Sequence, residues 1–155
     1  CPMAEIESRL KELGLTLPEA AAPVANYVPH VQTGQTVHIS GQISMGPTGL
    51  VTGRLGDGLT LEDGQAAARL CALNLIAQFK SACDGNLTRV LRVVKLGGFV
   101  NAHPDFHDIP KVINGASDLM VEVFGDAGRH ARSAVGVAVL PLNAAVEVDA
   151  VIEIA

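Results

Sequence analysis

The end of the chain alternates between apolar and other side chains with a period of two. In Val146–Ile154 (VEVDAVIEI), an apolar residue occupies every second position from Val146 onward. Successive side chains of a β-strand point to opposite faces of the sheet, so this pattern predicts a strand that covers a core with one face. The chain must therefore supply other elements, such as helices, to cover that face.

Two segments have the spacing of amphipathic helices that can cover such a sheet. Thr60, followed by Asp63, predicts a capping-box start, and Gly85 follows the end of this helix. The apolar residues of its buried face are Ala68, Cys71, Ala72, Leu75, Ile76 and Phe79. A second helix is predicted over Asp108–Phe124, with Pro110 in its first turn. These two helices are expected on one face of the sheet.

An additional helix is predicted at the N-terminus, over Met3–Leu13, with Gly14 as its stop and Pro18–Pro23 as a linker. Extended segments alternate with the helices and form a mixed sheet; they are Tyr27–Val31, Thr36–Ile43, a hairpin in Met45–Gly53, Leu87–Val100, Arg132–Leu140 and Ala145–Ile154. The order predicts one α+β domain over residues 1–155, in which residues 3–25 are an N-terminal extension.

The composition narrows the class of protein. The chain has 48% hydrophobic residues, 11 basic and 16 acidic residues and a net charge of −5, so nucleic acid is not expected as its partner. No apolar run reaches the length of a membrane span. The chain has three cysteines, an odd number, with neither a CxxC pair nor a secretory leader, and this predicts a reduced, cytoplasmic protein. Cys1-Pro2 resembles a remnant of processing or cloning more than a native start.

The last two strands are expected to form a tight hairpin near Pro141–Ala144, in which Val139 faces Val146. Its second face would then combine small residues with charged ones, namely Arg132, Ala134, Gly136, Ala138, Glu147, Asp149, Val151 and Glu153. A trough of small residues favours a subunit interface, although a short edge region is the simpler alternative. Arg132 and Glu147 would lie about 20 Å apart in one hairpin, so they could cooperate only across subunits.

Several motifs occur in a fixed order, namely Ser40-Gly41-Gln42, ARSAV at 131–135, Leu140-Pro141 and Val146-Glu147, with Tyr27 ahead of them. In this order they resemble the reactive-intermediate deaminase (Rid, YjgF or L-PSP) family. The resemblance implies a chorismate-mutase-like homotrimer with clefts between subunits. It also implies hydrolysis of small carboxylate-bearing enamines or imines to a keto acid and ammonia, without metal or cofactor. The alternatives are a binding trimer without catalysis and the endoribonuclease or translation inhibitor that some relatives are labelled.

The resemblance also assigns roles to residues. Arg132 would hold the substrate carboxylate, Glu147 would activate water, and Tyr27 would bind substrate or water. The remaining substrate-binding candidates are Gly41, Ser40, Ser117, Ala134 and His130. Two of these depart from the family pattern, because a helix asparagine is replaced at Ser117 and a frequent cysteine is replaced at Ala134. A simple salt bridge for Arg132 and a packing role for Tyr27 remain the plain alternatives.

Two further patterns give only weak indications of a binding site. His103 and His107 have the spacing of metal ligands on a helix, but Pro104 and the absence of a third ligand in the pattern disfavour a metal site. The glycine-rich stretch Gly53–Gly58 (GRLGDG) lacks the lysine of a phosphate-binding loop and is expected to be an ordinary loop.

Overall fold

The computed structural model describes residues 3–22 and 26–155. Cys1-Pro2 and the last residue of the predicted linker, Pro23, lie outside these residues. In chain order the elements are α1 (Met3–Glu12), β1 (His30–Thr33), β2 (Thr36–Ile43), β3 (Met45–Gly46), β4 (Gly49–Leu50), β5 (Arg54–Leu55), β6 (Gly58–Leu59), α2 (Leu61–Ala82), β7 (Val90–Asn101), α3 (Ile109–Phe124), β8 (Ala131–Val137) and β9 (Val146–Ile154).

The main sheet has five strands in the order β1-β2-β9-β7-β8. Its neighbours are antiparallel except β7 and β8, which are parallel and are joined through α3. A parallel pair needs such a crossover because a short turn cannot return the chain to the same end of the sheet. Helices α2 and α3 cover one face, so the predicted α+β fold with a mixed sheet and helices on one side is confirmed.

The capping box predicted for α2 is present. The Thr60 hydroxyl accepts a hydrogen bond from the Asp63 N–H at 3.1 Å, and the Asp63 carboxylate accepts one from the Thr60 N–H at 2.9 Å. Phe79 at the other end of α2 packs against Phe124 of α3, with ring centroids 6.1 Å apart. Cys71 is buried as predicted, and this burial raises the pKa of its thiol well above the usual range.

Close packing against α2 explains why a glycine occupies position 115 in the middle of α3. A Cβ at this position would collide with the backbone carbonyl of Gln65 in α2. The two helices therefore approach each other closely at a point where only glycine fits, which outweighs the low helix propensity of this residue.

The predicted tight hairpin between the last two strands is wrong. Strand β9 lies between β2 and β7, whereas β8 forms the edge beside β7, so Val139 does not face Val146. The connection crosses the end of β7, where the Asn101 side chain donates to the Ala144 carbonyl at 3.2 Å and to the Asn143 side chain at 3.1 Å. A long-range contact of this kind is invisible in a local sequence pattern.

The crossing changes which side chains share a face. On β9 the prediction is confirmed, since the alternate residues from Val146 to Ile154 are buried against the helices. On β8 it is wrong: Arg132 reaches α3, whereas Val135 is 47% exposed on the opposite face. The expected face of small residues shared by Arg132 and Glu147 therefore does not exist, because the two side chains lie on opposite faces of the sheet.

Candidate functional site

A β-bulge shapes β2 beside the last strand. The pairing of β2 with β9 shifts between Ile39 and Gln42, so Ser40 and Gly41 form the irregular stretch. The Ser40 hydroxyl donates to the Val28 carbonyl at 2.7 Å, and the Ser40 N–H donates to the Pro29 carbonyl at 2.9 Å. These bonds fix the segment that follows Tyr27 against the bulge.

The Glu147 side chain packs directly against Gly41. A Cβ at position 41 would overlap the Glu147 carboxylate, so only glycine lets this side chain lie against β2. Glu147 is half-buried, and this burial raises the pKa of its carboxyl above the ordinary value; the negative charge of Asp149 raises it further. A carboxyl with a raised pKa is a stronger base when ionised than an ordinary glutamate.

A groove of about 750 Å³ opens beside this carboxylate. Tyr27, Ser40, Gly41 and Glu147, four of the residues singled out in the sequence, line it. Among the described residues that line the groove there is no lysine, arginine or histidine. Within the described part of the chain, the groove therefore offers a carboxyl with a raised pKa but no cationic side chain that could bind an anion.

Arg132 belongs to a second group on the other face of the sheet. Its Nη1 donates to Asn114 Oδ1 at 2.8 Å and to Ser117 Oγ at 3.1 Å. His130 Nε2 lies 2.9 Å from the same hydroxyl, and His130 Nδ1 lies 2.6 Å from the Gly128 carbonyl. A carbonyl only accepts, so Nδ1 carries the proton, and in the neutral ring Nε2 accepts from Ser117. The guanidinium is held by a continuous chain of hydrogen bonds.

Asn114 was missed by the sequence reasoning. It lies three residues before Ser117, and this spacing places both side chains on one face of α3. The resemblance assigned the position of a helix asparagine to Ser117, but the structure has an asparagine one turn earlier that contacts the same guanidinium. The same-face spacing of two polar residues in a largely apolar helix was the signal that could have revealed it.

The structure thus brings the predicted site residues together in two groups. The first group, at the groove, comprises Tyr27, Ser40, Gly41 and Glu147. The second group, beside α3, comprises Arg132, Ser117 and His130, with Ala134 two residues farther along β8 and packed toward the core. One subunit does not join them, because they lie on opposite faces of its sheet.

The two remaining patterns, at His103 with His107 and at Gly53–Gly58, lie in loops and short strands rather than on a helix. His103 Nδ1 accepts from the Asp105 N–H at 3.1 Å, and within residues 3–22 and 26–155 no three His, Cys, Asp or Glu side chains are placed to hold a metal ion. The glycine-rich stretch forms the short parallel pair of β5 and β6. No helix in the described part of the chain combines the length and apolarity needed to cross a membrane.

Comparison with known proteins agrees with this fold. The sequence profile described as "YjgF/chorismate mutase-like, putative endoribonuclease" matches residues 7–154. The chain belongs to this family. The resemblance inferred from the motifs around Ser40, Arg132 and Glu147 is thereby confirmed.

Individual relatives of this YjgF-family chain are similar over most of its length. Protein TCP17 of Trypanosoma cruzi is 53% identical over 151 residues, which cover 96% of this chain and 94% of the relative. A 2-iminobutanoate/2-iminopropanoate deaminase of Dermatophagoides farinae is 33% identical over 142 residues, covering 90% and 94%. A crystal structure of an Agrobacterium tumefaciens protein of unknown function superposes with a TM-score of 0.92 at 49% identity, covering 99% and 94%.

Proposed function

We propose that this chain is a homotrimeric hydrolase that converts carboxylate-bearing imines or enamines into a keto acid and ammonia. The observation that carries the proposal is Arg132, a half-buried guanidinium held by the neutral acceptors Asn114 and Ser117. Within the described residues it has no carboxylate partner in an ion pair. A positive charge fixed in this way is suited to bind a substrate carboxylate.

Assembly supplies the missing connection between the two groups of residues. Arg132 lies on the edge strand β8, where a neighbouring subunit can reach it. The sheet face opposite the helices exposes apolar side chains, with Val31 at 54% and Val135 at 47% exposure. Exposed apolar surface of this kind favours association, and a second copy of the chain would cover it. In such an assembly Arg132 of one subunit would meet the Glu147 groove of the next.

The proposed reaction needs only water and proton transfer. Glu147 in its ionised form takes a proton from water as the oxygen bonds to the imine carbon, and the electron pair of the C=N bond moves to nitrogen. Glu147 returns this proton to the nitrogen and then carries the proton of the new hydroxyl to it as well, so ammonia leaves as the C–N bond breaks and the C=O bond forms. One water is consumed and one C=O bond is formed. Tyr27 and Ser40 line the groove with Glu147, which supports a role for the Tyr27 hydroxyl in orienting the water.

A direct assay tests this proposal. An amino-acid oxidase generates a 2-imino acid, and the rate of its decay is measured with and without the purified protein. We expect faster decay with the wild-type chain and loss of the effect in Arg132→Ala and in Glu147→Gln. Arg69→Ala and Glu122→Gln are matched controls, because these residues form an exposed ion pair with each other and should leave the rate unchanged.

Mixed assemblies test whether the site is shared between subunits. When Arg132→Ala and Glu147→Gln chains are refolded together in equal amounts, about a quarter of the shared sites receive an intact Arg132 and an intact Glu147. We therefore expect the mixture to regain about a quarter of the wild-type rate per site. No recovery in mixtures shown to have exchanged subunits would contradict a shared site.

Two other functions are outcomes of the same assays. Saturable binding of a 2-keto acid without faster imine decay would indicate a binding protein rather than an enzyme. The family description names an endoribonuclease, so RNA cleavage is the second alternative. The net charge of −5 and the absence of a basic residue from the described lining of the groove disfavour it. RNA cleavage that Arg132→Ala and Glu147→Gln abolish would support it over the deaminase.

A further inference from the structure

The groove continues well beyond the Glu147 carboxylate. Leu70 and Leu73, which share one face of α2, also line it. One wall is the start of β3 at Met45, and the other is the segment at residues 16–22 that follows α1. We call the part of the groove that is lined by α2 and by residues 16–22 the arm, and Glu147 lines the groove outside this part.

Side chains of α2 fix both walls of this arm. The Asn74 amide donates to the carbonyls of Ile43 at 3.3 Å and Met45 at 3.0 Å, which ties the end of β2 and the start of β3 to the helix. One turn later, the buried Gln78 amide donates to the Ala21 carbonyl at 3.0 Å, which ties down the N-terminal segment. The arm is thus held open between two hydrogen-bonded walls.

The arm is lined by apolar side chains. These are mainly Leu17, Met45, Pro47, Leu70, Leu73 and Leu142. Apart from Glu147, the only charged side chain among the described lining residues is Glu19, which is exposed. An apolar chain gains free energy when it leaves water for such a surface, whereas a second carboxylate would be repelled by Glu19.

The groove is large enough to contact the side chain of a long substrate but not that of a short one. At about 750 Å³ it falls within the range of sites that bury drug-sized ligands. A three-carbon imino acid, which needs contact only with the carboxylate site and Glu147, would leave the arm filled with water. The arm makes a contact with substrate only when the substrate carries a longer side chain.

We infer that the substrate is a 2-imino acid with one carboxylate and an aliphatic side chain of about four to six carbons, which lies in the arm between α2 and the N-terminal segment. The inference rests on the proposed function, because it takes the carboxylate to be bound at Arg132 of the neighbouring subunit. The N-terminal segment at residues 16–22 then acts as a specificity determinant of the site.

A series of imino acids of increasing side-chain length tests the inference. We expect kcat/KM to rise at least ~30-fold from the methyl side chain to an isobutyl or longer one, as each added methylene is buried. Leu73→Trp should fill the arm and remove this preference while the methyl substrate is still hydrolysed. Leu61→Trp, on the same helix about three turns away, should leave the preference intact.

A binding measurement separates the failure of this inference from the failure of the proposed enzyme. Straight-chain 2-keto acids of three to eight carbons are titrated calorimetrically, and we expect affinity to rise about fourfold per methylene until the arm is full. Equal rates and equal affinities across the series would overturn the inference and leave the hydrolase standing. Rising affinity without any hydrolysis would support the arm and contradict the hydrolase.

Discussion

The two halves of the candidate site are held in place by different physical means. Arg132 is fixed by hydrogen bonds to Asn114 and Ser117, and His130 extends the chain to the Gly128 backbone. Glu147 is instead placed by its close contact with Gly41, and its pKa is raised by burial and by Asp149. Hydrogen bonds therefore orient Arg132, whereas close packing positions Glu147 and partial exclusion of water raises its pKa.

This difference suits the role that we propose for each half. An arginine keeps its charge at every physiological pH, so polar partners need only set the direction of its N–H groups. A carboxyl that exchanges a proton must have its pKa brought toward neutrality, and burial does this. We therefore expect changes near Glu147 to alter the rate of the reaction and changes near Arg132 to alter substrate binding.

Among changes that leave Arg132 and Glu147 themselves in place, the largest effect is expected from Gly41→Ala. The new methyl group would overlap the Glu147 carboxylate, so this side chain must rotate away from its position. A displacement of about 1 Å at a reacting group can cost ~100-fold in rate, and we expect kcat for imine hydrolysis to fall by about this factor. Initial rates measure the loss, and circular dichroism melting curves establish that the chain remains folded.

Gly136→Ala is the matched control for this change. Its added methyl group would lie 3.2 Å from the end of the Ile109 side chain, which can shift. A similar loss of rate in both variants would show that the effect is general damage to the sheet. An unchanged rate in Gly41→Ala would show that the position of Glu147 does not matter.

An intermediate effect is expected from Asn114→Asp. The aspartate keeps an oxygen that accepts from Arg132, but its negative charge would pair with the guanidinium and compete with a substrate carboxylate. We expect KM to rise ~10-fold with little change in kcat. Asn114→Ala removes the hydrogen bond without adding a charge and should raise KM less. A larger rise of KM in Asn114→Ala than in Asn114→Asp would mean that the hydrogen bond that orients the guanidinium matters more than the added negative charge.

The contrast between β9 and β8 shows how far the sequence alone could predict the fold. The period of two in β9 settled which residues face the helices, because only one of its faces is buried. The same reasoning was wrong for β8, since its valines face away from the helices. The missing information was topological: β8 pairs in parallel with β7, and the loop held by Asn101 crosses to the far side of that strand.

The candidate site shows the same division between local and long-range information. The order of the motifs led to Ser40, Gly41, Arg132 and Glu147, because their residue types are tied to a family pattern. The spacing along one strand gave no indication that Arg132 and Glu147 lie on opposite faces. Asn114 was missed because its role depends on the proximity of α3 to β8, which only the folded chain provides.

The smallest effect is expected from Asp149→Asn. Burial is the main cause of the raised pKa of Glu147, and the charge of Asp149 is the second. Removing that charge lowers the pKa of Glu147 toward its ordinary value but leaves the effect of burial in place. We expect kcat/KM to change less than ~2-fold on the plateau of the pH profile above the acid limb, because a base is ionised there in both proteins. The difference should become visible only in acid.

The direction of that difference tests the role of Glu147 as a base. An ionised base loses activity as the pH falls through its pKa, so a lower pKa moves the acid limb of the pH profile to lower pH. Glu153→Gln removes a charge from the same strand six residues away, about 20 Å along it, and should leave the limb in place. If both variants shift the acid limb equally, the shift comes from the net charge of the protein rather than from the proximity of Asp149 to Glu147. A shift to higher pH in Asp149→Asn would contradict the proposed base, because removal of a neighbouring negative charge cannot make Glu147 harder to ionise.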